Sequence, residues 1–324
     1  MQSKQIKIIS LLGIILIVFI GLYMTTWLIG IDSITSAQLS RSLTRRSSRV
    51  AAMIVVGITI GITALVFQTI TQNRILTPSV IGFDSTFMLS QTLIVFLFGF
   101  SSPMLSNPYW NFILSAGLMV LVSFFLYGTI LRKGKNNIGL LLLIGLVVRT
   151  LMSSITQFIT MIMDPDEYLT ITSRTMPSLT NMNTDILWYM AIPIMLIVVF
   201  LMIRDLKYLD VMVLGEDQAK SLGVDYVRVT NRNLIYIAIL ISVSTALVGP
   251  LMFLGLITVN ISRELLKKSY HKPLLISTSI LSILFLVAGQ YLLQLFEINA
   301  SLVVIINLIG GIYLIYMLIK GDQK

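Results

Sequence analysis

Few side chains in this sequence could carry out covalent or metal chemistry. There is no Cys, and the single histidine, His271, lies in a basic turn without clustered acids. Asp164, Asp166 and Glu167 flank Pro165 and are expected to form a solvated turn rather than a cation site. We therefore expect no catalytic residue, no metal site and no bound cofactor. The phosphate-binding pattern G-x-x-x-x-G-K-[ST] is also missing, so this chain does not hydrolyse ATP itself.

Arg149 is the one charge deep inside an apolar run, about midway along Ile138–Met163. A guanidinium that faces lipid at this depth costs about 3 kcal/mol, so Arg149 must face protein or a water-filled cavity. It either hydrogen-bonds to a neighbouring helix or attracts an anionic ligand, and the sequence leaves both open.

The densest group of mixed charges lies in Leu209–Val224, LDVMVLGEDQAKSLGV, a polar island between two apolar blocks. Glu216 and Asp217 open a predicted short helix, and Lys220 lies near its end. Gly223 stands where a left-handed C-terminal cap would be.

Ala219 and Leu222, three residues apart, are predicted to share one face of this helix. A helix of two turns is not stable in water by itself, so it must pack on something. Either it lies on its own protein, or another protein grips it as a docking helix.

A basic cluster, RSLTRRSSR, occupies Arg41–Arg49 just before the apolar run that starts at Val50. Basic residues at the end of a membrane helix often anchor it to lipid phosphates. The alternative is a cationic platform for an acidic partner or an anionic substrate.

The elements that must position these residues are apolar. Hydrophobic residues make up 56% of the 324 positions and charged residues 11%, with a mean hydropathy of +0.92. Soluble domains carry roughly 25% charged residues, so the composition indicates an integral membrane protein. The net charge of +9 does not indicate nucleic-acid binding, because the basic residues lie in short loops without interleaved aromatics.

Ten apolar segments are predicted to cross the membrane, which takes about 20 apolar residues per helix. Those that start at Ser85, Leu234 and Leu251 are short, so eight or nine spans also fit. Gly249-Pro250 lies between the last two of these. Either the two segments are separate spans, or they form a broken, re-entrant pair. The segments are Ile6–Leu28, Val50–Ile70, Ser85–Phe100, Trp110–Leu131, Ile138–Met163, Ile186–Ile203, Leu234–Val248, Leu251–Ser262, Leu274–Phe296 and Leu302–Ile319.

The distribution of basic residues predicts that both termini are cytoplasmic. Of the 23 Lys and Arg residues, one is Arg149, five then lie in outer loops, and the rest lie inside, as the positive-inside rule requires. Leu209–Val224 is then cytoplasmic. The outer residues are Arg41, Arg45, Arg46, Arg49 and Arg174.

Four segments together resemble the permease subunits of iron-siderophore and cobalamin ABC importers, the FecCD-type family. GPLMFLGLITVNISR, Gly249–Arg263, is similar to the family signature G-P-x-x-F-x-G-L-x-x-P-H-x-x-R. RRSSRVAAMIVVG, QNRILTPSVIG and GEDQAKSLGV, at 45–57, 72–82 and 215–224, are similar to three further family segments in the same order. The segment NRILTPSVIGFDS, residues 73–85, resembles the corresponding segment of the family branch that handles catecholate-type ferric siderophores.

This resemblance implies an all-α bundle of about ten transmembrane helices, the type II ABC importer permease, as a single domain over residues 1–324. It implies a separate ATPase, an extracytoplasmic siderophore-binding protein, and a second permease, with a heterodimer favoured over a homodimer. The cytoplasmic loop 204–232 would couple the permease to its ATPase.

The resemblance also implies site residues. Arg46 and Arg49 match outward arginines that pair with carboxylates of the binding protein, and Arg149 becomes a candidate pathway cation for an anionic ferric chelate. The residues that match the segment held in a cleft of the ATPase are Gly215, Glu216, Ala219, Leu222 and Gly223.

The sequence departs from the family pattern at several positions. Val259-Asn260 replaces the Pro-His of the signature, so no role of that histidine is carried over. Arg74 stands where proline is usual, and Gln294 where a third docking arginine is common. Thr175–Ser178, TMPS, stands where a tryptophan and Gly-Ser are frequent.

The sequence therefore predicts a transport subunit, not an enzyme, of an ATP-driven importer for ferric siderophores in the bacterial cell membrane. Cobalamin or haem import is the nearest alternative, because substrate identity lies mostly in the binding protein. An ion-coupled carrier is less favoured, because it usually needs an acid inside the membrane. Asp84 and Asp164 lie at the ends of apolar runs.

Overall fold

The computed structural model describes residues 2–26, 36–99, 107–133, 138–267, 270–298 and 300–321, and all their regular elements are helical. This confirms the all-α class. The helices are α1 Gln2–Thr25, α2 Ser36–Ile70, α3 Phe83–Phe98, α4 Pro108–Lys133, α5 Ile138–Ile162, α6 Pro165–Thr175, α7 Thr184–Arg204, α8 Leu206–Met212, α9 Glu216–Ser221, α10 Tyr226–Val248, α11 Leu254–Leu266, α12 His271–Leu295 and α13 Leu302–Gly321.

Within these described ranges, 8 helices are long and apolar enough to cross a membrane. They are α1, α2, α4, α5, α7, α10, α12 and α13. The shorter helices α3, of 16 residues, and α11, of 13 residues, complete the ten predicted segments. The segment expected to start at Leu234 is not short, because α10 begins at Tyr226, where the Asp225 side chain caps it by accepting from the Arg228 backbone N–H.

One compact unit comprises residues 1–65, 178–184 and 253–324. In this unit α2 lies directly on α12, because a Cβ added at Gly57 would be 2.9 Å from the backbone nitrogen of Ile283. Glycine lets two helix backbones approach this closely. A bond of 2.9 Å between the buried hydroxyls of Thr258 and Ser282 joins α11 to α12.

A second compact unit comprises residues 66–177 and 185–252. Here α3 is fixed to α4 by Gln91, whose side-chain amide donates to Ser115 Oγ at 2.7 Å and to Asn111 Oδ1 at 3.0 Å. Gln91 and Ser115 are buried, so these bonds replace the ones that water would make. The helices α4 and α7 both pack on α10.

Two local expectations are corrected. The acidic residues around Pro165 do not form a turn: Asp164 precedes α6, Pro165 takes its first helical position, and Arg174 lies in its last turn. These are ordinary helix start and end signals. The basic cluster Arg41–Arg49 does not precede the second membrane helix but forms part of it, since α2 already starts at Ser36.

Candidate coupling, docking and pathway sites

The predicted short helix exists as α9 and is framed by two glycines with positive φ. Gly215 has φ 106° just before it, and Gly223 has φ 82° just after it. The Gly223 backbone N–H donates to Lys220 O at 2.9 Å, which confirms the predicted left-handed cap. Glu216 and Lys220 form an exposed ion pair at 2.6 Å. The hydrogen bond that Lys220 donates to Glu216 raises the pKa of Lys220.

α9 lies on its own protein, against α8 and α10. Ala219 is fully buried there, whereas Leu222 lies past the end of the helix with 64% of its surface exposed. The two residues therefore do not share a buried face, against expectation. Val213 and Leu214, which sequence reasoning did not single out, are also mostly exposed. We call Val213, Leu214, Leu222 and the Glu216–Lys220 pair the coupling surface.

The segment that follows α2 reaches the residues around α9. The Gln72 side-chain amide donates to Met212 O at 3.4 Å, and a Cβ added at Gly215 would lie 3.9 Å from Gln72 Nε2. The Tyr226 hydroxyl donates to Ile70 O at 3.5 Å. The C-terminal end of α2 is thus tied to both ends of the loop that carries α9.

Arg46, one of the two predicted docking arginines, is held inside its own unit. Its guanidinium donates to the backbone oxygen of Tyr23 and, at 3.1 Å, to Gln294 Oε1. The guanidinium carbon also lies 4.9 Å from the centre of the Tyr23 ring, a cation–π distance. Gln294 is the residue that stands in place of a family arginine, and here it accepts from Arg46.

Arg49, the other predicted docking arginine, lines an open cavity of 270 Å³ together with Arg45. The Arg49 guanidinium donates to Thr180 O at 3.4 Å. Arg45 and Arg49 are four residues apart on α2 and therefore share a helix face. The sequence placed Arg45 in the basic cluster, but only the helical register shows that Arg45 rather than Arg46 accompanies Arg49.

Arg149 lies on an exposed face of α5, near the middle of that helix. The short 3-10 helix Pro78–Ile81 and the following Gly82 pack directly on this part of α5. A Cβ added at Gly82 would be 3.2 Å from the Arg149 Cα, and one added at Gly145 would be 3.0 Å from the Ile81 Cα. A short 3-10 helix and the left-handed Gly82 that ends it therefore lie beside the centre of a membrane-length helix.

Asp84, which the sequence places at the end of an apolar run, lies in the first turn of α3. Only 6% of its surface is exposed, Ser79 hydrogen-bonds to its carboxylate, and Arg149 attracts it electrostatically. Its Oδ2 has no hydrogen-bond partner within the described residues. Asp84 and Arg149 are 65 positions apart in sequence, so no local pattern could have linked them.

A comparison with protein families decides what kind of protein carries these sites. The model of the FecCD transport family matches residues 9–320, nearly the whole chain. This chain belongs to the FecCD transport family.

Several relatives of this FecCD-family chain are named as import permeases. It is 44% identical to the petrobactin import system permease protein YclO of Bacillus subtilis over 324 residues, which is 100% of both chains. It is 32% identical to the petrobactin import system permease protein FatC of Bacillus anthracis, over 80% of this chain and 73% of the relative. It is 28% identical to a second Bacillus subtilis petrobactin permease, YclN, over 79% and 78% of the two chains.

A solved structure shares the fold of this FecCD-family member. It shows, in an inward-facing conformation, a transporter assigned to the metal-chelate type of ABC transporters. Its TM-score is 0.77 over 98% of this chain and 99% of that chain, at 22% identity. The predicted permease fold is confirmed. Membership in the FecCD transport family and the membrane-length helices together make the chain a multi-pass membrane transport protein.

Proposed function

We propose that this chain is the permease subunit of an ATP-driven importer that passes a ferric siderophore of the catecholate type from an extracytoplasmic binding protein to the cytoplasm. The observation that carries this proposal is the 44% identity, over the full length, to a petrobactin import permease. Petrobactin is a catecholate-type siderophore. The whole of residues 1–324 then forms one permease domain, with 204–232 as its coupling loop.

The surroundings of Arg149 support an anionic substrate. Ferric catecholate chelates carry negative charge, and a guanidinium exposed at mid-span needs water or an anion beside it. Pro78–Ile81 is a single 3-10 turn that ends in a left-handed Gly82. Such a break between membrane helices is tolerated at membrane depth only inside protein or along a water-filled cavity. We therefore assign Arg149 to the substrate pathway, with Asp84 as the residue that orients its guanidinium.

The coupling surface supports an ATPase partner on the cytoplasmic side. Val213, Leu214 and Leu222 leave apolar area in water beside an ion pair, which is the mixture that protein interfaces cover. Gln72 contacts the residues around α9 and belongs to the segment that ends at Gly82, and Gly82 packs on Arg149. A movement of the coupling surface would therefore be transmitted along this segment to Arg149. ATP binding in the partner would act on the pathway through that segment.

Two further partners follow from the same assignment. Arg45 and Arg49 form the outward basic surface to which acidic residues of a binding protein would dock. Bacillus subtilis has two petrobactin permeases of different sequence, YclO and YclN, which supports pairing of this chain with a second, different permease. Both termini are cytoplasmic in this assignment, as the positive-inside rule requires.

The test is uptake by the reconstituted complex. Vesicles that contain this chain, a second permease, the ATPase and the binding protein should accumulate ferric petrobactin only when ATP is supplied. Ferric hydroxamate chelates, haem and cobalamin serve as competitors. Accumulation by this chain without the ATPase, or uptake driven by an ion gradient alone, would reject the proposal, and preferred uptake of haem or cobalamin would reject the substrate class.

A further inference from the structure

A polar cavity of 270 Å³ opens where α7, α8 and α10 meet. It lies where two membrane-length helices meet the polar loop, because α7 ends at Arg204 and α10 begins at Tyr226. The ends of helices that span a bilayer lie near the lipid phosphates. The residues that line it are Leu201, Arg204, Asp205, Lys207, Tyr208, Arg232 and Tyr236.

The one acid of this cavity is already neutralised. Asp205 is buried, and Arg232 donates to both of its oxygens, with Nε at 2.7 Å from Oδ2. Asn233 Nδ2 also donates to Oδ2, at 3.0 Å. Three donors on one buried carboxylate fix the wall of the cavity and leave no charge there to repel an anion.

Two cations remain unmatched. Arg204 and Lys207 are exposed, and neither makes an ion pair within the described part of the chain. The Lys207 ammonium lies 4.9 Å from the centre of the Tyr208 ring, which holds the charge near the cavity. The site therefore carries an excess of two positive charges with no counter-charge of its own.

The other lining residues are those of a membrane interface. Tyr208 and Tyr236 combine an apolar ring with a hydroxyl donor, the combination enriched at headgroup depth. Leu201 adds an apolar side chain on the membrane-spanning helix α7. A phosphate with an attached glycerol and acyl chain matches this order of polar and apolar contacts, and basic pockets between membrane helices bind such headgroups.

We propose that this cavity binds the phosphate of an anionic phospholipid. The phosphate lies between Arg204 and Lys207, the tyrosine hydroxyls donate to the headgroup, and the acyl chains run along α7. The cavity lies largely within the loop 204–232, but it shares no residue with the coupling surface or with Arg149. The proposal therefore does not depend on which solute the protein carries.

The test is thermal unfolding of the purified full-length chain in an uncharged detergent. Phosphatidylglycerol should raise the Tm by about 3 °C, whereas phosphatidylcholine with the same acyl chains should not. Arg204→Gln combined with Lys207→Gln should remove this gain and weaken phosphatidylglycerol binding roughly 25-fold, at about fivefold per charge. Native mass spectrometry, which counts retained lipid molecules, provides an independent readout if the variant has a changed starting Tm.

The matched control is Lys4→Gln with Lys7→Gln, which removes two exposed lysines at the start of α1 and should keep the full gain. Equal stabilisation by phosphatidylcholine, or retention of the gain in the Arg204/Lys207 variant, overturns the proposal. Equal stabilisation by free phosphate or glycerol phosphate would make the occupant a soluble anion. Equal stabilisation by an acidic peptide would assign the cavity to a protein partner instead.

Discussion

Gly82 and Arg149 pack backbone to backbone: a Cβ on Gly82 would lie 3.2 Å from the Arg149 Cα. Gly82 also has φ 97°, a conformation that side chains disfavour. The glycine thus serves both the turn that starts α3 and the approach of that turn to α5. Asp84, two residues later, is brought within electrostatic reach of Arg149 by the same turn.

Gly82→Ala should destabilise the protein by about 2 kcal/mol or more, since the left-handed φ costs about 1 to 2 kcal/mol and the methyl group must also displace α5. Gly99→Ala is the matched control, because Gly99 has φ 75° at the other end of α3 but open space around its Cβ position. Gly99→Ala should lose only the stability that the left-handed backbone conformation costs. Equal losses of Tm in the two variants would show that the contact with Arg149 has no energetic role.

Arg149→Gln should lower the uptake of a charged ferric chelate about tenfold at subsaturating concentration, because one charge-assisted contact is lost. Arg149→Lys should keep most of the uptake, since the charge remains. Thr150→Val, the neighbouring exposed residue of α5, is the control for the helix itself. All three proteins should reach the membrane in equal amounts, and normal transport by Arg149→Gln would show that this cation is structural.

The sequence predicts the helices better than it predicts the sites. Apolar length decides which segments can span a membrane, so every predicted segment contains a helix. The pairing of Asp84 with Arg149 depends on how α3 packs on α5, which no local pattern encodes. The same holds for Arg46: its motif predicts an outward arginine, but contacts with Tyr23 and Gln294 bind it internally. Motifs identify residue types, and packing decides which of them remain free.

Arg45→Glu and Arg49→Glu should each slow association with the binding protein about tenfold at low salt, because they reverse charges of the outward cavity. The difference from the wild type should shrink as salt rises, since the Debye length falls to about 10 Å at 0.1 M. Ser47→Glu, an exposed position outside this cavity on α2, should change the rate much less. Association kinetics over a salt series measure this.

Arg46→Gln should behave differently from its neighbours. It removes the hydrogen bond to the Tyr23 backbone and the bond to Gln294, so we expect a loss of about 1 to 3 kcal/mol in stability. Association with the binding protein should change little once the folded fraction is taken into account. A large change in association rate with no change in Tm would show that Arg46 contacts the binding protein directly.

Leu222→Asp should leave the permease folded but impair its coupling to the ATPase. Leu222 is 64% exposed and lies outside the helix α9, so its replacement should change the folding free energy by no more than about 0.5 kcal/mol. In a complex the same side chain would be buried, and losing a buried leucine costs about 1.5 to 3 kcal/mol of binding. That corresponds to a weakening of ATPase binding of roughly tenfold to a hundredfold.

Met176→Asp is the matched control for that experiment, because Met176 is also mostly exposed but follows α6 on the side proposed to face outward. Co-purification of the ATPase and ATP-driven uptake should fall together in Leu222→Asp and stay normal in Met176→Asp. If both variants hold the ATPase equally well, the apolar part of the coupling surface is not its contact. The Glu216–Lys220 pair would then be the next candidate, because it is the ion pair on the same surface.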